Sequence, residues 1–156
     1  MRIVRIKGDG RCLFRALAKG LAAGQGTFLS ADTEEADADE LRAAVSDALC
    51  RTQDRLKQFS EVVPSIEAVE GGMPNYCKRL KQASFWGGEV EILVLSRMLK
   101  VPIFVFKTAE EAGRLDWGFV PIVKYGEEWA EPRGGRAPRR PVKLLYTGGN
   151  HYDLLL

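Results

Sequence analysis

Val142-Lys143-Leu144-Leu145-Tyr146-Thr147-Gly148-Gly149-Asn150-His151-Tyr152-Asp153-Leu154-Leu155-Leu156 closes this chain of 156 residues. Two alternating segments flank Gly-Gly-Asn, a hairpin signal. Strands are therefore expected over 142–147 and 151–156. Upstream, Val101-Pro102-Ile103-Phe104-Val105-Phe106 is a continuous β-rich run and reads as a central strand with proline near its start. Phe119–Val123 reads as a further short strand, and residues 126–141, rich in Gly, Pro and Arg, as a long exposed loop.

The first two thirds read differently. Residues 2–7 fit a short strand, and Gly8-Asp9-Gly10 is a turn. From Cys12 to Ala23, Leu13, Leu17 and Leu21 recur every fourth residue, which predicts a helix buried on one face. A loop follows over 24–36, and the acidic stretch Asp32–Glu40 opens a second helix, since carboxylates suit the positive end of the macrodipole. Leu41, Val45, Leu49 and Leu56 give it a stripe that fades before Pro64. A shorter helix after Pro74 carries Tyr76, Leu80 and Ala83. Trp86-Gly87-Gly88 breaks the pattern, and Glu89–Lys100, apolar almost all round, reads as a buried helix. Helices first and strands last predict an α+β fold, a small, largely antiparallel sheet packed against helices in one domain over 1–156.

Composition narrows the function classes. Hydrophobic residues make up 46% and charged residues 28%, as in ordinary globular proteins. A net charge of +2 gives no field that demands nucleic acid or an anionic membrane. No apolar run approaches the roughly 20 residues of a membrane span. Met1–Lys7 is too short and too charged for a signal peptide, and targeting flanks could lie outside this segment. Three cysteines, Cys12, Cys50 and Cys77, are an odd, sparse set that argues against a disulfide framework and for a reducing compartment, cytoplasmic or nuclear. One histidine and no Cys-x-x-Cys pair leave no basis for a metal site. Arg133, Arg136, Arg139, Arg140 and Lys143 read as a solvated loop without the interleaved aromatics of a single-strand binder, so no nucleic-acid partner is expected.

The chemistry gathers at the two ends. Free cysteines are more often packing residues than nucleophiles, but Cys12 stands apart. Gly8 and Gly10 permit a tight turn with exposed backbone N–H groups, and the helix begins at Cys12. Unpaired N–H groups and the positive helix end favour a thiolate there. The same N–H groups could face an oxyanion, at roughly 3 kcal/mol per donor. Cys50 and Cys77, inside helices, read as packing residues. His151 is the only imidazole, hence the only candidate base. Asp153 lies two residues along the same strand, about 6.5–7 Å away by Cα, on the same face. It is placed to accept Nδ1–H and leave Nε2 for the thiol. Asp9 either shapes the glycine loop or reaches the histidine directly; sequence leaves both open. Trp86, Gly87, Gly88 and Glu89 read as a helix start or as a substrate wall.

Gly8-Asp9-Gly10-Arg11-Cys12-Leu13-Phe14-Arg15, Phe85-Trp86-Gly87-Gly88-Glu89-Val90-Glu91 and Asn150-His151-Tyr152-Asp153 together resemble the ovarian-tumour (OTU) family of cysteine proteases, most of them deubiquitinases, and look most like its plant and algal branch. The resemblance implies a papain-like, OTU-type fold, Cys12 as nucleophile, His151 as base, Asp153 as orienter and Asp9 as an active-site member. It places the oxyanion loop at Asp9, Gly10 and Arg11, and implies a ubiquitin-tail channel shaped by the loop before His151. Asn150 and Tyr152, beside the histidine, join the candidate lining. The implied activity is thiol-dependent hydrolysis at the C-terminal glycine of ubiquitin, with ubiquitin or polyubiquitin conjugates as partners, no cofactor, and a monomeric enzyme. A non-catalytic ubiquitin-binding module and a protease for a ubiquitin-like modifier are the alternatives.

Overall fold

The computed structural model describes residues 1–156 and sets six helices around a five-stranded sheet. In chain order the elements are β1 (Ile3–Val4), α1 (Cys12–Gly24), α2 (Ala31–Cys50), α3 (Gln53–Lys57), α4 (Val63–Glu70), α5 (Met73–Leu80), α6 (Glu89–Leu99), β2 (Ile103–Thr108), β3 (Phe119–Tyr125), β4 (Val142–Thr147) and β5 (His151–Leu155). The sheet order is β1-β5-β4-β2-β3. Every pair is antiparallel except β2 with β4. The α+β expectation holds.

The hairpin forms because Gly148 and Gly149 take φ of 62° and 75°, a region closed to most side chains. Thr147 pairs with His151, which puts the imidazole on the first residue of β5, at the rim of the sheet. Pro121 is accommodated on the edge strand β3, where the register slips between Val105 and Phe106. α1 packs against α2 on one side and against β4 and β5 on the other. Its Leu13, Phe14, Ala16 and Leu17 are buried, at about 1.5–3 kcal/mol for each large side chain. Tyr152 and Leu154 face this core, whereas Leu155 belongs to a smaller cluster with Phe106 and Leu145.

Several expectations are corrected. β1 is only two residues long, because the chain leaves the ladder after Val4 and Ile6 donates its N–H to the Asp153 carboxylate instead. α2 starts at Ala31, inside the expected loop, since the Ser30 hydroxyl accepts the Thr33 N–H. Leu56 lies on α3, separated from α2 by Thr52, which caps the new helix. Pro64 does not end a helix. It sits in the first turn of α4, as Pro74 does in α5, where a missing N–H costs nothing.

Cys50 and Cys77 are joined in a disulfide that ties the end of α2 to α5 across a Cα–Cα distance of 5.8 Å. Only Cys12 is free, so cysteine usage no longer argues for a reducing compartment. The Arg-rich loop is also partly structural. Arg139 donates to the carbonyls of Leu99 and Lys100 at 2.8 Å each, closing the end of α6. Arg136 lies 4.2 Å over the ring of Trp129, so an aromatic does pack among these arginines. No helix is long and apolar enough to cross a membrane.

Candidate active site

Cys12 opens α1, after a loop built by Asp9. The Asp9 carbonyl accepts the Cys12 N–H at 3.1 Å, and its Oδ1 accepts the Arg11 N–H at 3.0 Å. Arg15, itself only 5% exposed, donates to both carboxylate oxygens at 3.0–3.3 Å. Burial pushes the Asp9 carboxyl up, but Arg15, the Arg11 N–H and Lys7 outweigh it and hold it below the usual carboxylate range. The structure therefore commits Asp9 to the loop and to Arg15, the shaping alternative, and not to the imidazole. The Asp9 N–H goes to the Lys7 carbonyl. Among the expected oxyanion donors, only the Gly10 N–H has no partner within the loop. The Arg11 side chain turns outward to Asp39 at 2.7 Å and Glu35 at 3.2 Å.

Cys12 is 1% exposed. Burial raises its thiol above the ordinary range. The N–H groups of Tyr152 and Leu13 pull it down, and the charges of Asp9 and Asp153 push it up again. The expected thiolate-favouring helix end is thus outweighed, and the balance of these groups raises the thiol. The Tyr152 N–H beside the sulfur belongs to the residue after His151, so the two ends of the chain meet at this corner.

His151 and Asp153 pair as expected, but through the other nitrogen. Nε2 lies 2.9 Å from Asp153 Oδ1, while Nδ1 faces Gly8, where an added Cβ would sit 4.0 Å away. Asp153, 1% exposed, also accepts the Ile6 N–H at 2.8 Å and Arg5 Nη1 at 3.0 Å. Burial raises its carboxyl, but those three donors bring it below the usual range. It is an ionised, fully occupied anchor under the imidazole.

A groove of about 360 Å³ runs beside this corner. Trp86, Gly88, Glu89, Asn150 and Tyr152 line it, with Tyr146 behind. Gly88 has open space where a side chain would go. Gly87 lines the groove as well, and a Cβ there would strike Leu13 at 2.8 Å. Glu91 holds this wall, its Oε1 accepting the Gly88 N–H at 2.7 Å and its Oε2 the Tyr76 hydroxyl at 2.5 Å. Burial raises the Glu91 carboxyl.

Arg5, Arg15, Tyr76 and Glu91 support the site in ways that none of the three sequence motifs assigns. Glu91 was findable, because glutamate three residues after a helix-starting position is half of a capping box. Arg15, one turn after Cys12, carries a charge opposite to Asp9. Nothing local signalled Arg5. No group of three His, Cys, Asp or Glu side chains is arranged to hold a metal ion.

Residues 7–132 match the family described as OTU-like cysteine protease. The chain belongs to that family. His151 and Asp153 lie beyond the matched residues. The chain is 44% identical over 155 residues to OVARIAN TUMOR DOMAIN-containing deubiquitinating enzyme 3 of Arabidopsis thaliana, covering 97% of this chain and 66% of that protein. It is 33% identical to enzyme 4 of the same series and organism, covering 99% of this chain and 43% of the other. The chain thus spans just under two thirds of one curated relative and under half of the other. The OTU domain of OTUD1 superposes with a TM-score of 0.65 at 23% identity, covering 97% of this chain and 83% of that one. An OTU deubiquitinase from Wolbachia pipientis wMel, solved bound to ubiquitin, gives 0.63 at 18% identity, covering 99% and 94%. These likenesses bear out the OTU-type fold.

Proposed function

We propose that residues 1–156 form one deubiquitinating catalytic domain, which hydrolyses the bond after the C-terminal glycine of ubiquitin through an acyl-enzyme on Cys12. The observation that carries this reading is the corner where Cys12, at the start of α1, meets β5 bearing the His151–Asp153 pair, beside a groove walled by Gly88. The deubiquitinating enzymes among its relatives and the ubiquitin-bound OTU structures support it.

The ubiquitin tail lies in the groove with its last carbonyl at Sγ. His151, through the nitrogen not held by Asp153, takes the thiol proton as Sγ attacks. The tetrahedral oxyanion is received by the Gly10 N–H and by the Arg11 N–H, which leaves Asp9 for the stronger charge. The imidazolium gives its proton to the departing lysine amine. It then takes a proton from water, and that water releases ubiquitin with a free carboxylate. Gly88 admits a glycine backbone, while Trp86 and Tyr152 bound the slot against bulkier tails. The partner is a ubiquitin conjugate, and that substrate, not the cysteine count, is the ground for a cytoplasmic or nuclear setting; the domain acts as a monomer without a cofactor.

Incubation with ubiquitin carrying a C-terminal electrophile tests this. The expected result is one covalent adduct, mapped to Cys12 and absent in Cys12→Ala. Ubiquitin binding without an adduct would instead identify a non-catalytic module, and labelling only by a ubiquitin-like modifier would move the substrate class.

A further inference from the structure

Arg42 projects from the middle of α2 into the interior and is 5% exposed. A buried guanidinium normally faces a carboxylate, but this one is given to backbone carbonyls. Nη1 donates to Leu80 O at 3.1 Å and Phe85 O at 3.0 Å, and Nη2 to Gly10 O at 2.9 Å and Ala83 O at 3.4 Å. Its plane lies 4.7 Å over the Phe14 ring, on the helix that Cys12 begins. Residue 10 presses directly on the same segment, since a Cβ at Gly10 would fall 2.1 Å from Ala83 O. One side chain therefore binds the loop before the nucleophile to the strand of chain that leads into Trp86 and Gly88.

All peptide bonds here are trans. In a trans peptide the C=O and the following N–H point in opposite directions. With Gly10 O held by Arg42, the Arg11 N–H must turn away from Arg42. It meets the Asp9 carboxylate at 3.0 Å, and the Asp9 carbonyl in turn accepts the Cys12 N–H at 3.1 Å. If the peptide rotated, its carbonyl would face that side, and no N–H would be there to pass from Asp9 to an oxyanion.

We propose that Arg42 is a positioning residue for acyl transfer. It holds the Gly10–Arg11 peptide so that the N–H, and not the C=O, is presented to the developing oxyanion. The proposal rests on the cysteine-hydrolase reading above. It adds a residue that touches neither substrate nor thiol, and it separates oxyanion stabilisation from thiol reactivity.

Arg42→Lys tests it. One ammonium keeps the charge but cannot span the carbonyls on both sides of the clamp. Two rates are compared, turnover of a fluorogenic amide at the ubiquitin C-terminus, which forms an oxyanion, and alkylation of Cys12 by chloroacetamide, which does not. The expected result is a fall in kcat of about 10²-fold, the scale of a lost oxyanion donor. KM should stay within about threefold and alkylation within about twofold of wild type. Arg42→Met, checked for folding by thermal melting, should behave alike or worse; if it does not fold, the lysine variant decides alone. Unchanged kcat in Arg42→Lys, or alkylation falling in parallel with kcat, overturns the proposal. A wild-type protein inert to the substrate would remove the hydrolase reading itself, and the positioning role with it.

Discussion

Asp153 Oδ1 sits 2.9 Å from His151 Nε2 and 2.8 Å from the Ile6 N–H, so one oxygen joins the base to the backbone that follows β1. The imidazole is held against the amino-terminal segment through this carboxylate. Asp153→Ala should lower kcat for ubiquitin-amide hydrolysis on the order of 10²–10⁴-fold, as loss of a triad orienter does, with KM little changed. It should also destabilise the domain by about 1–3 kcal/mol, because the Ile6 N–H loses its acceptor. If Asp153→Ala turns over normally, Asp153 is not the orienter.

Asp9 and Asp153 both titrate below the usual carboxylate range, despite burial that would raise them, because of their cationic and N–H partners. A depressed folded pKa contributes stability above the unfolded carboxylate pKa and loses it as pH falls through the folded value. The melting-temperature gap between wild type and Asp9→Asn should be full at neutral pH and shrink below about pH 4. A gap that stayed constant down to pH 2 would show that the Asp9–Arg15 charge pair is not its source.

The Cys12 thiol is shifted the other way, above its reference value of 9.0, by burial first and by two carboxylates. A raised thiol keeps its proton in the folded state. Its contribution to stability is present below the unfolded pKa and disappears as pH rises through the folded one. Chloroacetamide alkylation of the free enzyme should therefore keep accelerating with pH beyond 9.0. A plateau near neutral pH would mean that a thiolate–imidazolium pair already exists without substrate.

What could be read from sequence follows the range of the forces involved. The hairpin, the helix at Cys12 and the pairing of His151 with Asp153 depend on turn chemistry and strand alternation, which are local. α4 was missed because Pro64 reads as a stop, although its first-turn position makes it a start. The imidazole nitrogen was misassigned because its choice depends on how the segment from Arg5 to Gly8 crosses β5, a contact almost 150 residues apart in sequence. Arg42 was silent for the same reason. On an acidic helix it looks like a surface arginine, and only tertiary packing turns it inward.

Tyr76 and Glu91 make a second long-range anchor, behind the Gly88 wall. Tyr76→Phe keeps the ring against Phe85, where the centroids are 5.8 Å apart, and removes only the hydroxyl. The buried Glu91 Oε2 then has no donor. The expected cost is about 1–3 kcal/mol in denaturant melts. A neutral outcome would show that Glu91 is protonated and finds its own partner.

Cys50 and Cys77 are separated by 27 residues, and they close a loop that contains α3, α4 and the start of α5. Loop-closure entropy in the unfolded chain predicts about 3–4 kcal/mol of stabilisation for a link of that span. Cys50→Ala with Cys77→Ala should lose that amount relative to the oxidised wild type, and reduced wild type should lose a similar amount. The cross-link itself is checked by counting thiols in unfolded, unreduced protein, where only Cys12 should react. Three reactive thiols with an unchanged melting temperature after reduction would show that α2 and α5 are held together by the packing of Leu49 and Tyr76 without the covalent bond.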